Sequence, residues 1–207
     1  PALSYVFALI LGLLALIGYW YGLGRPVVLP DVASATHKMQ CASYTPFDKD
    51  QSPFDQPLTL RPARMDADLA LLATRFECIR TYTMVGLEAL PEMARKHGLK
   101  VMAGAWVSSD PVATAKEIDQ LIASANANPD VVTSVIVGNE ALLRKEVTAH
   151  QLVALIQTVK RQIKQPVTYA DVWEFWLHHP EIAPAVDFIT IHLLPYWEDD
   201  PSGIDQA

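Results

Sequence analysis

The sequence predicts an α/β protein built as a (β/α)₈ TIM barrel, with about six of the eight units present and one transmembrane helix in front of them. After residue 38, short apolar runs rich in β-branched residues alternate with longer amphipathic stretches. No Gly-x-Gly-x-x-Gly pattern follows any of these runs, which disfavours a nucleotide-binding open sheet. Residues 1–24 carry no charged side chain, which suits a membrane segment. We therefore divide the chain into a membrane segment at 1–24, a linker at 25–37 and a barrel portion at 38–207.

The first segment predicts a helix over Leu3–Leu23, which at about 1.5 Å per residue can cross a hydrocarbon layer of roughly 30 Å. The aromatic residues 19–21 near its end suit the interface between lipid and water. A cleaved signal peptide is the alternative, because residues 33–35 (Ala-Ser-Ala) resemble a cleavage site. The apolar run is longer than the roughly 7–15 residues of a signal core and ends well before that site. We therefore expect an uncleaved anchor that contacts membrane lipid.

The linker and the barrel elements follow in order along the chain. Residues 26–37 contain two prolines and no periodicity, which is typical of a short tether. The predicted strands are 39–44, 78–83, 100–106, 133–137, 167–170 and 188–192. The predicted helices are 63–75, 87–96, 112–125, 149–163 and 174–182. Pro111 and Thr148 stand where two of these helices are expected to start.

Composition and charge exclude several classes of protein. About half of the residues are apolar, so the chain can bury a large core, and a net charge of -7 without basic runs disfavours nucleic acid as a partner. The six histidines show no metal-ligand spacing, and no lysine stands at a strand end suited to a Schiff base, so neither a metal nor a cofactor is expected. Cys41 and Cys78 are either free thiols or one disulfide.

Polar and aromatic side chains follow the predicted strands, at the end where barrel enzymes assemble their active sites. Aromatic rings can cover the apolar faces of a sugar while amides and carboxylates bind its hydroxyl groups. Trp106 and Trp173 could equally pack in the core or at the rim. The residues in question are Tyr82, Trp106, Asn139, Glu140, Asp171, Trp173, His192 and Tyr196.

Glu140 is the candidate for acid/base chemistry because it follows the fourth predicted strand. A partly desolvated carboxyl that faces a second carboxylate has its pKa raised toward neutral pH, as a proton donor requires. Asn139 beside it could donate a hydrogen bond to a sugar 2-hydroxyl. In the alternative interpretation, Asn139 caps a helix and Glu140 lies in its first turn.

Residues 136–141 (Ile-Val-Gly-Asn-Glu-Ala) resemble the strand-four motif of glycoside hydrolase family 17, the β-1,3-glucanases and related glucanosyltransferases. Residues 41–47, 79–82 and 192–198 are similar to that family's first, second and sixth strands. The resemblance implies that Glu140 is the acid/base and that Tyr82 and Tyr196 line the donor subsites. The family's nucleophile, a Glu after the seventh strand, has no counterpart before Ala207, and Glu198 and Asp171 are weak substitutes.

The resemblance also implies a function and a location. We expect a retaining enzyme on β-1,3-glucan, with transglycosylation favoured over hydrolysis, and a non-catalytic glucan-binding barrel as the alternative of another class. The leading helix together with this barrel is similar to bacterial membrane glucosyltransferases, some of which carry a further glycosyltransferase domain. That implies the bacterial inner membrane with the barrel facing the periplasm, where a disulfide between Cys41 and Cys78 would be allowed.

Overall fold

The structure is a computed structural model that describes residues 2–25, 38–52 and 59–194, and these fall into two compact units. The first unit contains α1 (Ala2–Leu23), whose described side chains are all exposed. By length and composition alone, Leu3–Leu23 could cross a membrane, with a mean hydropathy of 2.1. A signal sequence would share these properties, so the anchor stays a prediction.

The second unit is a six-stranded sheet in which every neighbouring pair of strands is parallel and the strands follow one another in chain order. The strands are β1 (Met39–Ser43), β2 (Phe76–Arg80), β3 (Lys100–Ala105), β4 (Val132–Asn139), β5 (Val167–Val172) and β6 (Thr190–His192). The helices are α2 (Pro62–Leu72), α3 (Leu90–Lys96), α4 (Pro111–Ala127), α5 (Ala149–Lys160) and α6 (Trp173–His178), followed by a 3-10 helix at Pro180–Ala185. This is the first part of a (β/α)₈ barrel, as predicted.

The predicted helix starts are confirmed by their caps. Asp110 precedes α4, and its carboxylate accepts the N–H groups of Val112 and Ala113 at 2.8 and 3.1 Å. Thr148 precedes α5 and forms a reciprocal capping box with Gln151. Each cap pairs backbone donors that the first helical turn leaves without partners inside the helix.

The predicted helix at 174–182 is wrong in its second half, because α6 ends at His178 and a 3-10 helix begins at Pro180. A proline lacks a backbone N–H and disfavours the helical conformation in the residue before it. His179 accordingly has φ −127° and ψ 63°. The fourth strand also runs further than predicted, to Asn139.

The core lies between one face of the sheet and the helices that cover it. Its apolar side chains come from strands and helices alike, and burying each one contributes roughly 1.5–3 kcal/mol. The fully buried members include Leu69, Ile79, Leu90, Val101, Leu121, Leu152 and Ile156. The opposite face of the sheet is the inside of the incomplete barrel.

Cys41 and Cys78 form a disulfide, which decides between the two states that the sequence allowed. The two residues are partners in the register between β1 and β2, and their Cα atoms lie 4.4 Å apart. The bond therefore ties the first strand of the sheet to the second.

We expect the Cys41→Ser, Cys78→Ser double variant to unfold at lower denaturant. The disulfide closes a loop with a sequence separation of 37, so its loss should cost roughly 3–4 kcal/mol through the greater entropy of the unfolded chain. Urea unfolding of the oxidised wild-type protein and the double variant measures this difference. The two proteins should unfold alike in the presence of a reductant, and equal midpoints under oxidising conditions would contradict the expectation.

Candidate active site

Side chains from three alternate strands meet inside the barrel. Arg80 ends β2, Asn139 ends β4 and His192 ends β6, and no two of these strands are neighbours in the sheet. Their side chains nevertheless contact one another because the sheet curves, and alternate strands contribute to one layer of a barrel interior. Glu140 follows Asn139 and joins the same group.

The hydrogen bonds in this layer fix the state of His192. Its Nδ1 lies 2.6 Å from Glu140 Oε1, and its Nε2 lies 3.3 Å from Arg80 Nη1. A guanidinium can only donate, so Nε2 accepts from Arg80 and the proton of a neutral imidazole resides on Nδ1. His192 therefore donates to the Glu140 carboxyl. Arg80 also donates through Nη2 to Asn139 Oδ1 at 2.5 Å, which orients that amide.

The backbone around Glu140 is unusual. Gly138 has φ 87° and Glu140 has φ 52°, and the register between β4 and β5 shifts in the same stretch. A side chain at position 138 would press on Val107 and on the ring of Tyr169. Glu140 donates its N–H to Ala170 O at 2.7 Å, so β5 supports the bend. The bend turns the Glu140 side chain toward the inside of the barrel, where His192 meets it.

The interpretation of Asn139 as a helix cap is wrong. The helix after β4 begins at Ala149, and Thr148 caps it. Between Glu140 and that helix the chain forms a series of turns. Glu140 is therefore a carboxylate at the end of a strand and does not lie in the first turn of a helix. The local sequence had left both interpretations open.

A buried pair on β5 supports these turns from behind. The Tyr169 hydroxyl donates to Asp171 Oδ2 and accepts the Leu142 N–H at 3.0 Å. Asp171 is fully buried, and its Oδ1 accepts the Val172 N–H at 2.8 Å. Burial raises the pKa of Asp171, while the donated hydrogen bonds oppose that rise. These surroundings favour a supporting role for Asp171 over the predicted contact with substrate.

Two aromatic rings near the strand ends are each stacked on an arginine. The guanidinium carbon of Arg80 lies 4.7 Å from the centre of the Tyr82 ring, and that of Arg144 lies 4.1 Å from the Trp106 ring. Both aromatic side chains are half-buried. Such cation–π contacts hold a ring from one face.

Glu117 on α4 connects the two segments that carry these rings. Its carboxylate accepts the Trp106 N–H at 3.1 Å and the hydroxyl of Thr83, next to Tyr82, at 2.8 Å. Burial raises the pKa of Glu117, and the two donated hydrogen bonds oppose that rise. The Glu117 carboxylate therefore links the segment that carries Tyr82 to the segment that carries Trp106.

The other side chains near the strand ends are Trp173, Tyr196 and Tyr44. Trp173 begins α6 and is 42% exposed. Tyr196 lies outside the described residues, so its role stays a prediction. Tyr44, which follows β1, is buried on the helix side and donates its hydroxyl to Asp68 at 3.2 Å.

The structure places four further residues at the site that were not predicted from the sequence. Arg80 could have been found, because it stands two residues before Tyr82 in the predicted strand 78–83, and such residues share one face of a strand. Glu117, Arg144 and Tyr169 gave no signal, since nothing local links a helix or a turn residue to another strand's end. Their contacts exist only after the chain has folded.

Comparisons with known proteins find a matching family model and several curated relatives. The family model described as the BtgE/BtgC glycoside hydrolase domain matches residues 41–207. The probable beta-glucosidase btgE of Aspergillus flavus is 32% identical over 150 residues, and the alignment covers 68% of this chain and 24% of that protein. The probable glucan endo-1,3-beta-glucosidase btgC of Aspergillus clavatus is 29% identical over 157 residues, covering 68% of this chain and 22% of that one. The chain thus spans about a quarter of these relatives.

Solved structures show the same fold. A glycoside hydrolase family 17 beta-1,3-glucanosyltransferase from Rhizomucor miehei superposes with a TM-score of 0.66 at 22% identity, over 82% of this chain and 61% of that one. An endo-laminarinase from Formosa gives a TM-score of 0.63 at 21% identity, over 76% of this chain and 50% of that one. At this level of identity the likeness establishes the fold alone.

We expect Glu117→Gln to destabilise the protein most at low pH. The pKa of Glu117 is raised above its ordinary value of 4.5 in the folded state, so the folded protein binds more protons than the unfolded chain in the window above that value. The stability that Glu117 contributes is therefore full below the unfolded pKa and is lost as pH rises through the folded pKa. The stability deficit of the variant should therefore shrink as pH rises from 4.5 through the folded pKa.

Urea midpoints of the wild-type protein and Glu117→Gln across this range measure the effect. Asp119→Asn removes an exposed carboxylate from the same helix and serves as the matched control. A stability deficit that grew with pH would show that folding lowers the pKa of Glu117 and would contradict the expectation.

Proposed function

Since the chain belongs to the BtgE/BtgC glycoside hydrolase domain family, we propose that it forms part of a retaining enzyme on β-1,3-glucan in which Glu140 is the catalytic acid/base. The observation that carries this assignment is the contact of Glu140 with His192 at 2.6 Å, inside the barrel and at the carboxyl ends of its strands. This is the end at which barrel enzymes hold their reacting groups.

Glu140 first protonates the departing glycosidic oxygen and then removes a proton from the acceptor. His192 donates to Oε1, which leaves Oε2 to carry the transferred proton. The same N–H stabilises the negative charge on Glu140 after it has given the proton away. Arg80 engages Asn139 Oδ1, so the amide nitrogen is turned to donate to a sugar 2-hydroxyl.

A retaining mechanism also needs a second carboxylate about 5–5.5 Å from the first, as nucleophile. Asp171 is fully buried and holds the turn after Glu140, so it does not suit attack on a sugar. We place the nucleophile on a seventh strand outside this chain, as the family resemblance implies. We propose a complete barrel as the catalytic unit.

Sugar binding is assigned to the rings at the strand ends. Tyr82 and Trp106 each have one face on an arginine, so the opposite face can cover a glucose ring. Trp173 is exposed enough to extend this surface, and Tyr196 completes it by the family resemblance. The contacts of His192 with Glu140 and Arg80 assign it to the acid/base in preference to the substrate.

The acceptor decides between transfer and hydrolysis, and we favour transfer to a sugar hydroxyl, as in a β-1,3-glucan glucosyltransferase. Hydrolysis, with water as acceptor, is the alternative. We further propose that α1 anchors the protein in a bacterial inner membrane with the barrel in the periplasm. The disulfide between Cys41 and Cys78 supports an oxidising compartment for the barrel. A further glycosyltransferase domain in the intact protein stays a prediction.

We expect Glu140→Gln in the intact protein to lower turnover of laminari-oligosaccharides by about 10²–10⁴-fold, because glutamine cannot donate the proton that the leaving oxygen needs. Mass spectrometry of the products measures both turnover and outcome. Longer oligosaccharides mean transfer, and shorter ones alone mean hydrolysis.

Glu174→Gln, at an exposed position on α6, is the matched control and should keep wild-type turnover. If Glu140→Gln turned over natural linkages as fast as the wild type, the acid/base assignment would be refuted. A wild-type protein that binds laminari-oligosaccharides without converting them would instead favour a glucan-binding barrel.

A further inference from the structure

Arg144 holds both carbonyl groups that flank Glu140. Its guanidinium donates through Nη1 to the carbonyl oxygen of Asn139. Its backbone N–H donates to the carbonyl oxygen of Glu140 itself at 2.9 Å. The carbonyl groups before and after the Glu140 Cα therefore both accept hydrogen bonds from Arg144.

We call these two hydrogen bonds the Arg144 bracket, and they constrain the conformation that Glu140 adopts. A φ of 52° places Glu140 in the left-handed region, where the Cβ of an L-residue crowds the backbone. Such a conformation persists only where the surroundings over-determine it. The two hydrogen bonds from Arg144, with the bond from the Glu140 N–H to Ala170 O at 2.7 Å, supply that constraint.

Arg144 also reaches from the turn after β4 to the end of β3. Its Nη2 donates to Val107 O at 2.8 Å, and its guanidinium lies flat enough to stack 4.1 Å from the centre of the Trp106 ring. One side chain thus connects the acid/base turn, the backbone after β3 and the aromatic ring. A lysine could not replace it, because an ammonium lacks the planar fork that serves two carbonyls and a ring at once.

The carboxylate that pairs with Arg144 is that of Glu146, and the Arg144 side chain acts on Glu140 without binding its carboxyl. Its side chain is 24% exposed, and Glu146 Oε1 lies 3.9 Å from its Nε. Glu146 is itself fixed, because its Oε2 accepts the Ser109 N–H at 2.7 Å. The hydrogen bonds of the guanidinium go to backbone carbonyls, so Arg144 acts on Glu140 through the backbone.

We propose that Arg144 is a positioning residue that holds Glu140 in its left-handed conformation and aligns Trp106 with it. The proposal rests on the proposed function for Glu140. Loosening the bracket lets the Glu140 backbone relax, and the carboxyl then spends less time where it can protonate the glycosidic oxygen. The loss falls mainly on kcat, because the Trp106 ring is still present to cover a sugar, although it loses its support from one face.

The test compares Arg144→Ala, Arg144→Lys and the matched control Arg161→Gln in the intact protein. Arg161 is an exposed arginine at the end of α5 whose guanidinium bonds Thr158, away from the strand ends. On laminari-oligosaccharides we expect Arg144→Ala to lower kcat by about 10–100-fold, as small displacements of a catalytic group do, with KM changed less than about threefold. Added guanidinium ion should restore part of the lost kcat, since it can occupy the vacated space and donate to the same carbonyls.

Arg144→Lys decides the question if Arg144→Ala fails to fold. It keeps the charge and most of the methylene stem, and we expect its kcat to be lower than wild type by about tenfold or more. A kcat equal to that of Arg161→Gln in either Arg144 variant would overturn the proposal. A kcat loss in Arg144→Ala that guanidinium does not reverse, with an equally large rise in KM, would assign Arg144 to general stability instead.

Amide hydrogen exchange separates this proposal from the proposed function. In Arg144→Lys the amides of residues 140–144 should exchange faster than in the wild type, while those of the core strand β3 keep their protection. That outcome does not depend on enzymatic activity. An inactive wild-type protein would refute the proposed function, and unchanged exchange at 140–144 would refute the bracket whatever the activity.

Discussion

The hydrogen bond between Arg80 and Asn139 crosses the inside of the curved sheet, and the arrangement of the candidate site depends on it. β2 and β4 are separated by β3, so this bond at 2.5 Å forms only where the sheet bends enough to bring alternate strands together. The same guanidinium reaches His192 on β6, which carries the contact on to Glu140. The Arg80 guanidinium on β2 therefore connects Asn139 on β4 to His192 on β6, and His192 contacts the Glu140 carboxyl.

The layer around Glu140 combines one histidine with one arginine, at different distances from the carboxyl. His192 contacts Glu140 through Nδ1, and Arg80 behind it supplies positive potential from a greater distance. Burial lowers the pKa of Arg80, while Tyr82 and Glu140 oppose that effect, so the cation persists in a half-buried place. In the proposed mechanism, this layer stabilises the carboxylate that remains after proton transfer, and the described residues place no arginine in a salt bridge with it.

Two separate supports hold the turn that carries Glu140. From β5, Tyr169 and Asp171 bind the backbone of the following turn, and their buried hydrogen bonds are costly to leave unmade. From the turn itself, Arg144 reaches back to Val107 and Trp106 at the end of β3. The positive φ of Glu140 is strained for an L-residue, so this conformation needs the support of both groups. This arrangement couples the position of Glu140 to that of the Trp106 ring.

The sequence by itself determined the barrel, its strand order and the place of Asn139 and Glu140 at the end of β4, because apolar periodicity and helix caps are local signals. It left open whether Cys41 and Cys78 are bonded, whether Asn139 caps a helix, and what Asp171 contacts. Those points depend on register, curvature and burial, which place residues far apart in the chain side by side. Only the tertiary structure could therefore join Arg80 to His192, and Arg144 to Trp106, around Glu140.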